Sequence, residues 1–274
     1  MIVIDLIGRL GNQMFQYAFA QNTAKKLKTQ FIFNPVYTNE LTVYFKLDKV
    51  TCFLYSNIGI KLNRILLQKK EKYKVVDQNG WQSSVQIENN VHYKGFFQSK
   101  HFFEQNEKKL RRIFSIKQYW IDKFINKYGD IYSKNKVLVI HIRRTDYLDF
   151  GSDELGGKNL CLPMTYYYNC LNQLGSIEAY TVICISDDIE FAKRHLKYKN
   201  NILFESNETI VDFQLMLNAD ALIIANSSFA WWAAYLNDKP NKIVYSPKYW
   251  LGFKKDVEYP SGITAPGFLS MEVY

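Results

Sequence analysis

The stretch that best indicates the fold is VLVIHIRRTDYLDFG, Val137–Gly151. Its first part, Val137–Ile142, has the apolar character of a strand that is buried in a parallel sheet. Two adjacent arginines and an aspartate follow this strand, namely Arg143, Arg144 and Asp146. Because two fixed positive charges repel each other, their position calls for a negative partner, which is either a carboxylate of the protein or an anionic ligand.

An alternation of short apolar runs with helix-like runs continues through the second half of the chain. Such alternation predicts an α/β fold with a doubly wound parallel sheet, in which ligands bind beyond the carboxyl ends of the strands. The two arginines therefore lie at the predicted ligand edge. The predicted strands are Val137–Ile142, Thr181–Ile185, Ile202–Phe204, Leu222–Ala225 and Lys242–Tyr245, and the predicted helices are Met164–Leu174, Ile189–Leu196, Thr209–Asn218 and Phe229–Leu236.

The first half of the chain has a weaker pattern, and residues 35–90 show no clear period. The polar stretch Tyr132–Lys136 separates the two halves, so we predict two Rossmann-like domains, residues 1–133 and 134–274. In the first domain we predict strands at Ile2–Leu6, Phe31–Phe33 and Val91–Phe97 and helices at Met14–Leu27 and Phe103–Phe114.

The composition indicates a globular protein with an anionic partner. Of its 274 residues 47% are hydrophobic, and the net charge of +9 suits a nucleic acid, a membrane surface or a phosphorylated small molecule. The N-terminus lacks the features of a signal peptide, and the apolar stretch Ala219–Leu236 contains too many polar side chains for a lipid-facing helix. We therefore predict no transmembrane segment.

The cysteines show neither a zinc motif nor a disulfide pattern, because no two of them have Cys-x-x-Cys spacing and no histidines cluster near them. We predict reduced thiols in a cytoplasmic protein. The residues concerned are Cys52, Cys161, Cys170 and Cys184.

The sequence GRLGNQ, Gly8–Gln13, joins a predicted strand to a predicted helix. Its glycines allow a tight turn, the helix start offers N–H groups to an anion, and Arg9 adds a positive charge. The spacing is not that of the dinucleotide-binding fingerprint. An ordinary turn with Asn12 as the helix cap explains the pattern equally well.

Arg143 is the strongest candidate for a phosphate ligand, because a guanidinium is always charged and can bind phosphate through two parallel hydrogen bonds. The alternatives are a structural ion pair between Arg143 and Asp146 and a solvent-exposed Arg144. The chain lacks an Asp-x-Asp motif for a metal-bound nucleotide. We therefore expect arginines and backbone N–H groups to neutralise the anion without a metal.

Two further strand ends carry polar residues with two interpretations each. Either Ser186 or Asp187 caps the helix that follows Ser186–Asp188, with the acids complementing its dipole, or an acid at this strand end accepts hydrogen bonds from a guanine edge. In Asn226–Phe229, Ser227 or Ser228 either caps a helix or helps its N–H groups to bind a phosphate. The tryptophan pair Trp231–Trp232 is expected to pack in the core or at a domain interface.

Taken together, these motifs resemble the bacterial α-1,2-fucosyltransferases, glycosyltransferase family eleven. They occur in the order found in that family and extend to about Trp250. One departure is Arg9, where many bacterial members have glycine and the protein O-fucosyltransferases have a similar arginine. The matching segments are GRLGNQMFQYAFA at Gly8–Ala20, KGFFQSKHF at Lys94–Phe102, HIRRTDY at His141–Tyr147, SDDIEF at Ser186–Phe191 and DFQLMLNADALIIANSSFAWWAAYL at Asp212–Leu236.

The resemblance implies a GT-B architecture, that is, two Rossmann-like domains with the active site in the cleft between them. It also implies GDP-β-L-fucose (GDP-fucose) as the donor, held by the second domain, and no cofactor or metal. The implied donor contacts are Arg9, Leu10, Gly11 and Asn12 in the turn, His141, Ile142 and Arg143 after the strand, Asp188 at guanine, and Ser228 and Phe229 at the β-phosphate with Ser227 beside them.

The implied reaction is an inverting transfer of L-fucose to the 2-hydroxyl of a terminal galactoside. Negative charge develops on the departing GDP, so Arg143 would stabilise the transition state more than the ground state. Asp146 is the candidate base for the acceptor hydroxyl, although orienting an arginine would explain it equally well. Gln13 and Gln98 of the first domain are candidate acceptor ligands, because hydrogen-bonding groups suit a neutral sugar.

The expected partners are thus the donor and a galactose-terminated glycan, with or without a lipid carrier, and peripheral contact with the inner face of the membrane remains open. A different sugar-nucleotide-dependent GT-B enzyme is the nearest alternative. A basic nucleic-acid-binding protein or a non-catalytic glycan-binding module are the others, but no nucleic-acid recognition motif is present. Turnover of GDP-fucose would separate an enzyme from both of these.

Overall fold

The structure is a computed structural model that describes residues 1–35, 38–47, 73–197 and 201–274. The chain forms two compact units. The first contains Met1–Gln118 and Pro260–Ile263, and the second contains Tyr119–Tyr259 and Thr264–Tyr274.

Within the described residues, the first unit contains a parallel sheet of four strands in the order β2-β1-β4-β3. A long helix covers one face of this sheet, where Tyr17 stacks on Phe33 and the ring of Phe19 meets that of Tyr93 edge-on. The strands are β1 (Ile2–Leu6), β2 (Phe31–Pro35), β3 (Lys74–Asp77) and β4 (Val91–Lys94), and the helices are α1 (Leu10–Lys26), α2 (Leu41–Tyr44) and α3 (Glu107–Ile113).

The second unit contains a parallel sheet of six strands in the order β10-β9-β8-β5-β6-β7. This order confirms the predicted doubly wound sheet. The strands are β5 (Lys136–Ile142), β6 (Tyr180–Ser186), β7 (Ile202–Glu205), β8 (Ala221–Ile223), β9 (Ile243–Pro247) and β10 (Leu269–Met271), and the helices are α4 (Gln118–Lys134), α5 (Met164–Leu174), α6 (Ile189–His195), α7 (Thr209–Leu217) and α8 (Ser228–Leu236).

The strand order reverses between β5 and β8. After β5 the chain adds β6 and β7 on one side and then returns to add β8 on the other side. In doubly wound sheets a crevice opens at this switch point, beyond the carboxyl ends of the two strands. Arg143 follows β5 directly and Asn226 lies just beyond β8, so both predicted binding segments occupy this position.

The domain boundary lies earlier than the sequence predicted, because α4 belongs almost entirely to the second unit and not to residues 1–133. The helix buries Phe124 and Tyr128, and the hydroxyl of Tyr132 donates to the Leu215 carbonyl at 2.7 Å. The polar stretch used for the prediction is therefore mostly the end of a helix that contacts α7 of the second unit.

The first helix also differs from its prediction. It begins at Leu10 rather than at Met14, so the four residues Leu10–Gln13 form its first turn. Arg9 occupies the N-cap position, and Asn12 lies inside the helix. The interpretation of Asn12 as the helix cap is therefore wrong.

In the parts of the chain that the structure describes, none of the helices is both long enough and apolar enough to cross a membrane.

Candidate active site

Two carboxylates of the protein neutralise Arg143 at the end of β5. Its Nη2 lies 2.6 Å from Asp146 Oδ2, and its Nη1 lies 3.3 Å from Asp187 Oδ2. The side chain of Arg143 is only 16% exposed, whereas that of Asp146 is 52% exposed. The predicted structural ion pair between Arg143 and Asp146 thus exists.

Asp187 organises the loop after β5 and was not among the predicted site residues. Its carboxylate accepts hydrogen bonds from the backbone N–H of Arg144 at 2.8 Å and of Thr145 at 3.1 Å, and from the Thr145 hydroxyl. The sequence contained a partial signal, because a helix start after β6 needs only one of the two adjacent acids as its cap. The second acid was therefore available for another role.

Arg144 does not point freely into solvent. Its Nε lies 3.2 Å from Asp188 Oδ2, and its guanidinium lies 3.8 Å from the centre of the Phe191 ring. Such stacking of a guanidinium on an aromatic face is a stabilising cation–π contact. Arg144 therefore fixes the position of Asp188 at the end of β6.

Asp188 is the N-cap of α6, where its Oδ1 accepts from the Phe191 N–H at 3.0 Å. The helix cap is therefore Asp188, and the interpretation of Ser186 or Asp187 as the cap is wrong. The side chain of Asp188 remains 32% exposed, and each carboxylate oxygen can accept more than one hydrogen bond. The contact with guanine stays a prediction.

His141 is buried beside Arg143 with an exposed fraction of 6%, and its Nδ1 has no hydrogen-bond partner. Burial and the positive charge of Arg143 lower the pKa of His141 to about 3. The imidazole is therefore neutral near pH 7, so it is suited to hydrogen bonding and packing rather than to proton transfer. Ile142, which is 2% exposed, offers a ligand little more than its backbone.

The segment after β8 leads into the N-terminus of α8, which begins at Ser228. Ser227 is the N-cap residue, but its side chain does not bond to the helix, so capping does not account for its hydroxyl. Phe229 lies with its ring centre 6.0 Å from that of His141. The first N–H groups of a helix have no partners within the helix and attract anions, which fits the predicted phosphate contact.

The loops after β5 and β8 are tied together by Tyr147, whose hydroxyl donates to the Asn226 carbonyl at 2.8 Å. The Asn226 side chain is completely buried and donates to the Leu160 carbonyl at 3.0 Å, while its Oδ1 has no partner. Two buried polar atoms, Nδ1 of His141 and Oδ1 of Asn226, thus lie unpaired at this edge of the sheet. Unpaired buried polar atoms are costly and often belong to functional sites.

In the first unit, the turn before α1 is tightly packed. Gly8 has a φ of +74°, and a Cβ at that position would lie 2.4 Å from Asn12 Nδ2. The Leu10 N–H bonds to the Glu40 carboxylate, whose pKa is raised by burial although Arg9 opposes this. One of the N–H groups that the sequence offered to an anion thus already has a protein partner, whereas Arg9 itself is exposed.

Gln13 has a structural role that the sequence did not reveal. It is completely buried, and its amide donates to the carbonyls of Gly8 and Thr38 and accepts from the Glu40 N–H. Every polar atom of the side chain is therefore satisfied internally, which corrects the expectation that Gln13 faces an acceptor. Gln98 is half-buried and donates to Asn12 Oδ1 at 2.7 Å, so it remains the acceptor candidate.

Replacing Gly8 with alanine is expected to lower the free energy of unfolding by about 2–4 kcal/mol, because left-handed strain and overpacking add. Gly267→Ala is the matched control, since Gly267 has a φ of +80° with nothing within 4 Å of its added Cβ. It should show only the strain, about 1–2 kcal/mol. Urea unfolding of both variants measures the difference, and equal losses would show that Asn12 moves aside freely.

Among the described residues, no group of three or more histidine, cysteine, aspartate and glutamate side chains is placed to hold a metal ion. Cys161, Cys170 and Cys184 are free thiols, and Cys52 lies outside the described residues. Among the described residues at the switch point of the second sheet, Arg143 and the start of α8 are the candidates for binding an anion.

This geometry, a guanidinium at the switch point of a doubly wound sheet, is typical of an enzyme that binds a phosphorylated ligand. The model of the family Glycosyl transferase family 11 matches residues 1–251. The chain therefore belongs to glycosyl transferase family 11, as the sequence motifs predicted, and it is a glycosyltransferase.

Two curated relatives come from Escherichia coli. The chain is 30% identical to an alpha-1,2-colitosyltransferase over 273 residues, which cover 91% of this chain and 92% of the relative. It is 25% identical to the O-antigen biosynthesis glycosyltransferase WbnK, with 89% of this chain and 93% of that protein covered.

The fold is similar to that of the fucosyltransferase NodZ from Bradyrhizobium, with a TM-score of 0.54 and 12% identity over 86% of this chain and 93% of NodZ. NodZ, an α-1,6-fucosyltransferase, has also been crystallised and soaked with GDP-fucose. The likeness, together with two α/β units that each have a parallel sheet, confirms the predicted GT-B fold.

Proposed function

We propose that this protein transfers L-fucose from GDP-fucose to the 2-hydroxyl of a terminal galactoside, with inversion at the anomeric carbon and without a metal ion. The observation that carries the proposal is Arg143, a largely buried cation that follows β5 directly at the switch point of the nucleotide-binding type of sheet. The α-1,2 linkage is supported by the name of the colitosyltransferase relative. The donor is supported by the GDP-fucose that was soaked into NodZ.

In the proposed reaction the acceptor hydroxyl attacks the anomeric carbon as GDP leaves. The sugar acquires oxocarbenium character, and negative charge grows on the β-phosphate. Arg143 and the first N–H groups of α8 meet that charge, with Ser227, Ser228 and Phe229 placed around it. His141 stays neutral and packs against the nucleotide, and Asp146 is the nearest carboxylate to Arg143 that could take up the acceptor proton.

A second candidate is the transfer of colitose from a nucleotide-linked donor, since the relative with 30% identity is named for that sugar. It requires the same anion-binding groups and differs only in the contacts to the sugar ring. In both cases we assign the acceptor to the first unit, where Gln98, which is half-buried and donates to Asn12, is the candidate ligand.

The test is an assay of the purified protein with GDP-fucose and lactose in excess chelator, followed by determination of the linkage by NMR. We expect an α-1,2-fucosylated galactose, formed at the same rate with and without magnesium. Transfer of colitose but not of fucose would favour the second candidate. A strict requirement for metal, or linkage to a different hydroxyl, would contradict the corresponding part of the proposal.

We further expect Asp188 to select guanine, because a carboxylate can accept from both N1–H and N2–H of that base while adenine offers no such pair. Asp188→Ala should weaken GDP binding by about tenfold or more and erase the preference for GDP over ADP. Loss of the helix cap should lower stability by about 1 kcal/mol.

Glu190→Ala is the matched control for Asp188→Ala. Glu190 lies one residue into the same helix, is 70% exposed and pairs with Lys193. Its removal deletes an equal charge and should leave GDP affinity unchanged. Calorimetric titration with GDP and ADP compares the two variants, and an unchanged preference in Asp188→Ala would leave Asp188 as a helix cap only.

A further inference from the structure

We propose that the two carboxylates that hold Arg143 have opposite roles: Asp187 positions the guanidinium for the donor, whereas Asp146 occupies the place of the donor diphosphate and leaves when the donor binds. This inference rests on the proposed function, because it assumes that Arg143 receives the diphosphate of the sugar nucleotide.

Asp187 is held in place by groups that do not depend on a ligand. It accepts from two consecutive backbone N–H groups, those of Arg144 and Thr145, and from the Thr145 hydroxyl. Its side chain is 18% exposed. Moving it away would break these three hydrogen bonds as well as the ion pair, which costs more than breaking one ion pair alone. Asp187 therefore keeps its contact with Arg143 Nη1 in the free and loaded states.

Asp146 is held far more weakly. It lies in a single turn of 3-10 helix, Thr145–Tyr147, and its side chain is 52% exposed. In the part of the chain that the structure describes, Arg143 is its one side-chain hydrogen-bond partner, at 2.6 Å. An ion pair whose carboxylate is this exposed contributes little free energy, because water competes for the carboxylate. Asp146 can therefore be displaced at small cost.

The charges require that one carboxylate leaves. Arg143, Asp146 and Asp187 together carry one net negative charge, which would repel a diphosphate. A phosphate oxygen and a carboxylate oxygen are equivalent acceptors for a guanidinium. The Nη2 group of Arg143, which now faces Asp146, thus becomes available as a hydrogen-bond donor to the diphosphate. The Nη1 group keeps its contact with Asp187.

The proposal predicts effects of opposite sign from two substitutions that remove the same charge. Asp146→Asn should tighten GDP binding by about two- to fivefold, since the competing anion is gone. Asp187→Asn should weaken it by roughly tenfold, the effect of losing one charge-assisted hydrogen bond that holds the arginine. A general gain in positive potential would tighten binding in both variants, so each variant is the control for the other.

The experiment is calorimetric titration of the wild-type protein, Asp146→Asn, Asp187→Asn and Arg143→Ala with GDP at low ionic strength, with thermal unfolding of each variant. If Asp187→Asn does not fold, Thr145→Val replaces it. This variant removes one donor to Asp187 and should weaken GDP binding by about two- to threefold.

The outcomes separate this inference from the proposed function. Wild-type protein that binds no GDP would overturn both. Wild-type protein that binds GDP through Arg143, with weaker binding in both aspartate variants, would show that Asp146 also orients the arginine and would overturn this inference alone. Tighter GDP binding in both aspartate variants would show that the change in net charge alone explains the effect, and it would also overturn this inference. Opposite shifts support it.

Discussion

Replacing Arg143 with alanine is expected to lower the rate of sugar transfer by roughly 10²–10³, while the protein remains folded. The reason is that a hydrogen-bond donor directed at negative charge that develops in the transition state typically lowers the activation free energy by about 3–4 kcal/mol. Arg143 is the candidate for this role because it is largely buried, follows β5 directly and lies beside the unpaired Nδ1 of His141. The measurement is kcat/KM for GDP-fucose.

Arg143→Lys is the control for charge alone. A lysine keeps the positive charge but offers an ammonium in place of the planar fork that binds two acceptors at once. We expect this variant to lose most of the activity as well, although less than the alanine variant. Thermal unfolding should show that neither variant is unfolded at the assay temperature. Near-normal turnover in folded Arg143→Ala would remove Arg143 from the mechanism.

Replacing Trp231 with alanine is expected to lower the free energy of unfolding of the second unit by about 3–5 kcal/mol, the usual cost of deleting a buried aromatic side chain. Trp231 is 0% exposed, and its ring stacks on that of Tyr235 with centres 4.7 Å apart. The change opens a cavity next to α8, whose N-terminus belongs to the candidate site. Urea unfolding followed by far-UV circular dichroism measures the loss.

Trp81→Ala is the matched control, since it deletes the same side chain from a position that is 38% exposed. Substitutions at such positions usually change stability by less than about 1 kcal/mol. A loss in Trp231→Ala that is no larger than the loss in Trp81→Ala would mean that the core around α8 closes over the missing ring.

The order of strands and helices in the second half could be predicted from the sequence. The helix Met164–Leu174 has the predicted bounds, and the strand predicted at Thr181–Ile185 extends by one residue at each end. These elements are encoded locally, because burial from water selects apolar residues with the period of each element. In the first half, the strand predicted at Val91–Phe97 is too long. The strand β4 ends at Lys94, because the next residue, Gly95, has a φ of +140°, which is not a strand conformation.

The tertiary structure alone decided which polar side chains are available to a ligand. The side chain of Gln13 is hydrogen-bonded to the backbone of Thr38 and Glu40. The carboxylate of Asp187 is hydrogen-bonded to a loop 43 residues earlier in the chain. Asn12 and Gln98 meet although 86 residues separate them. Such contacts produce no periodic pattern in the sequence. The identity of a polar residue does not indicate whether its side chain contacts solvent, a ligand or a distant part of the backbone.

The sequence by itself therefore determined the family, the parallel sheet of the second unit and the strand end at which Arg143 lies. The tertiary structure decided that two carboxylates share Arg143, that Asp188 caps α6 and that α4 belongs to the second unit. The physical reason is the range of the forces involved. Hydrophobic periodicity is a local pattern that extends over the residues of a single helix or strand. A hydrogen bond or an ion pair depends on which distant groups the completed fold brings within about 3 Å of each other.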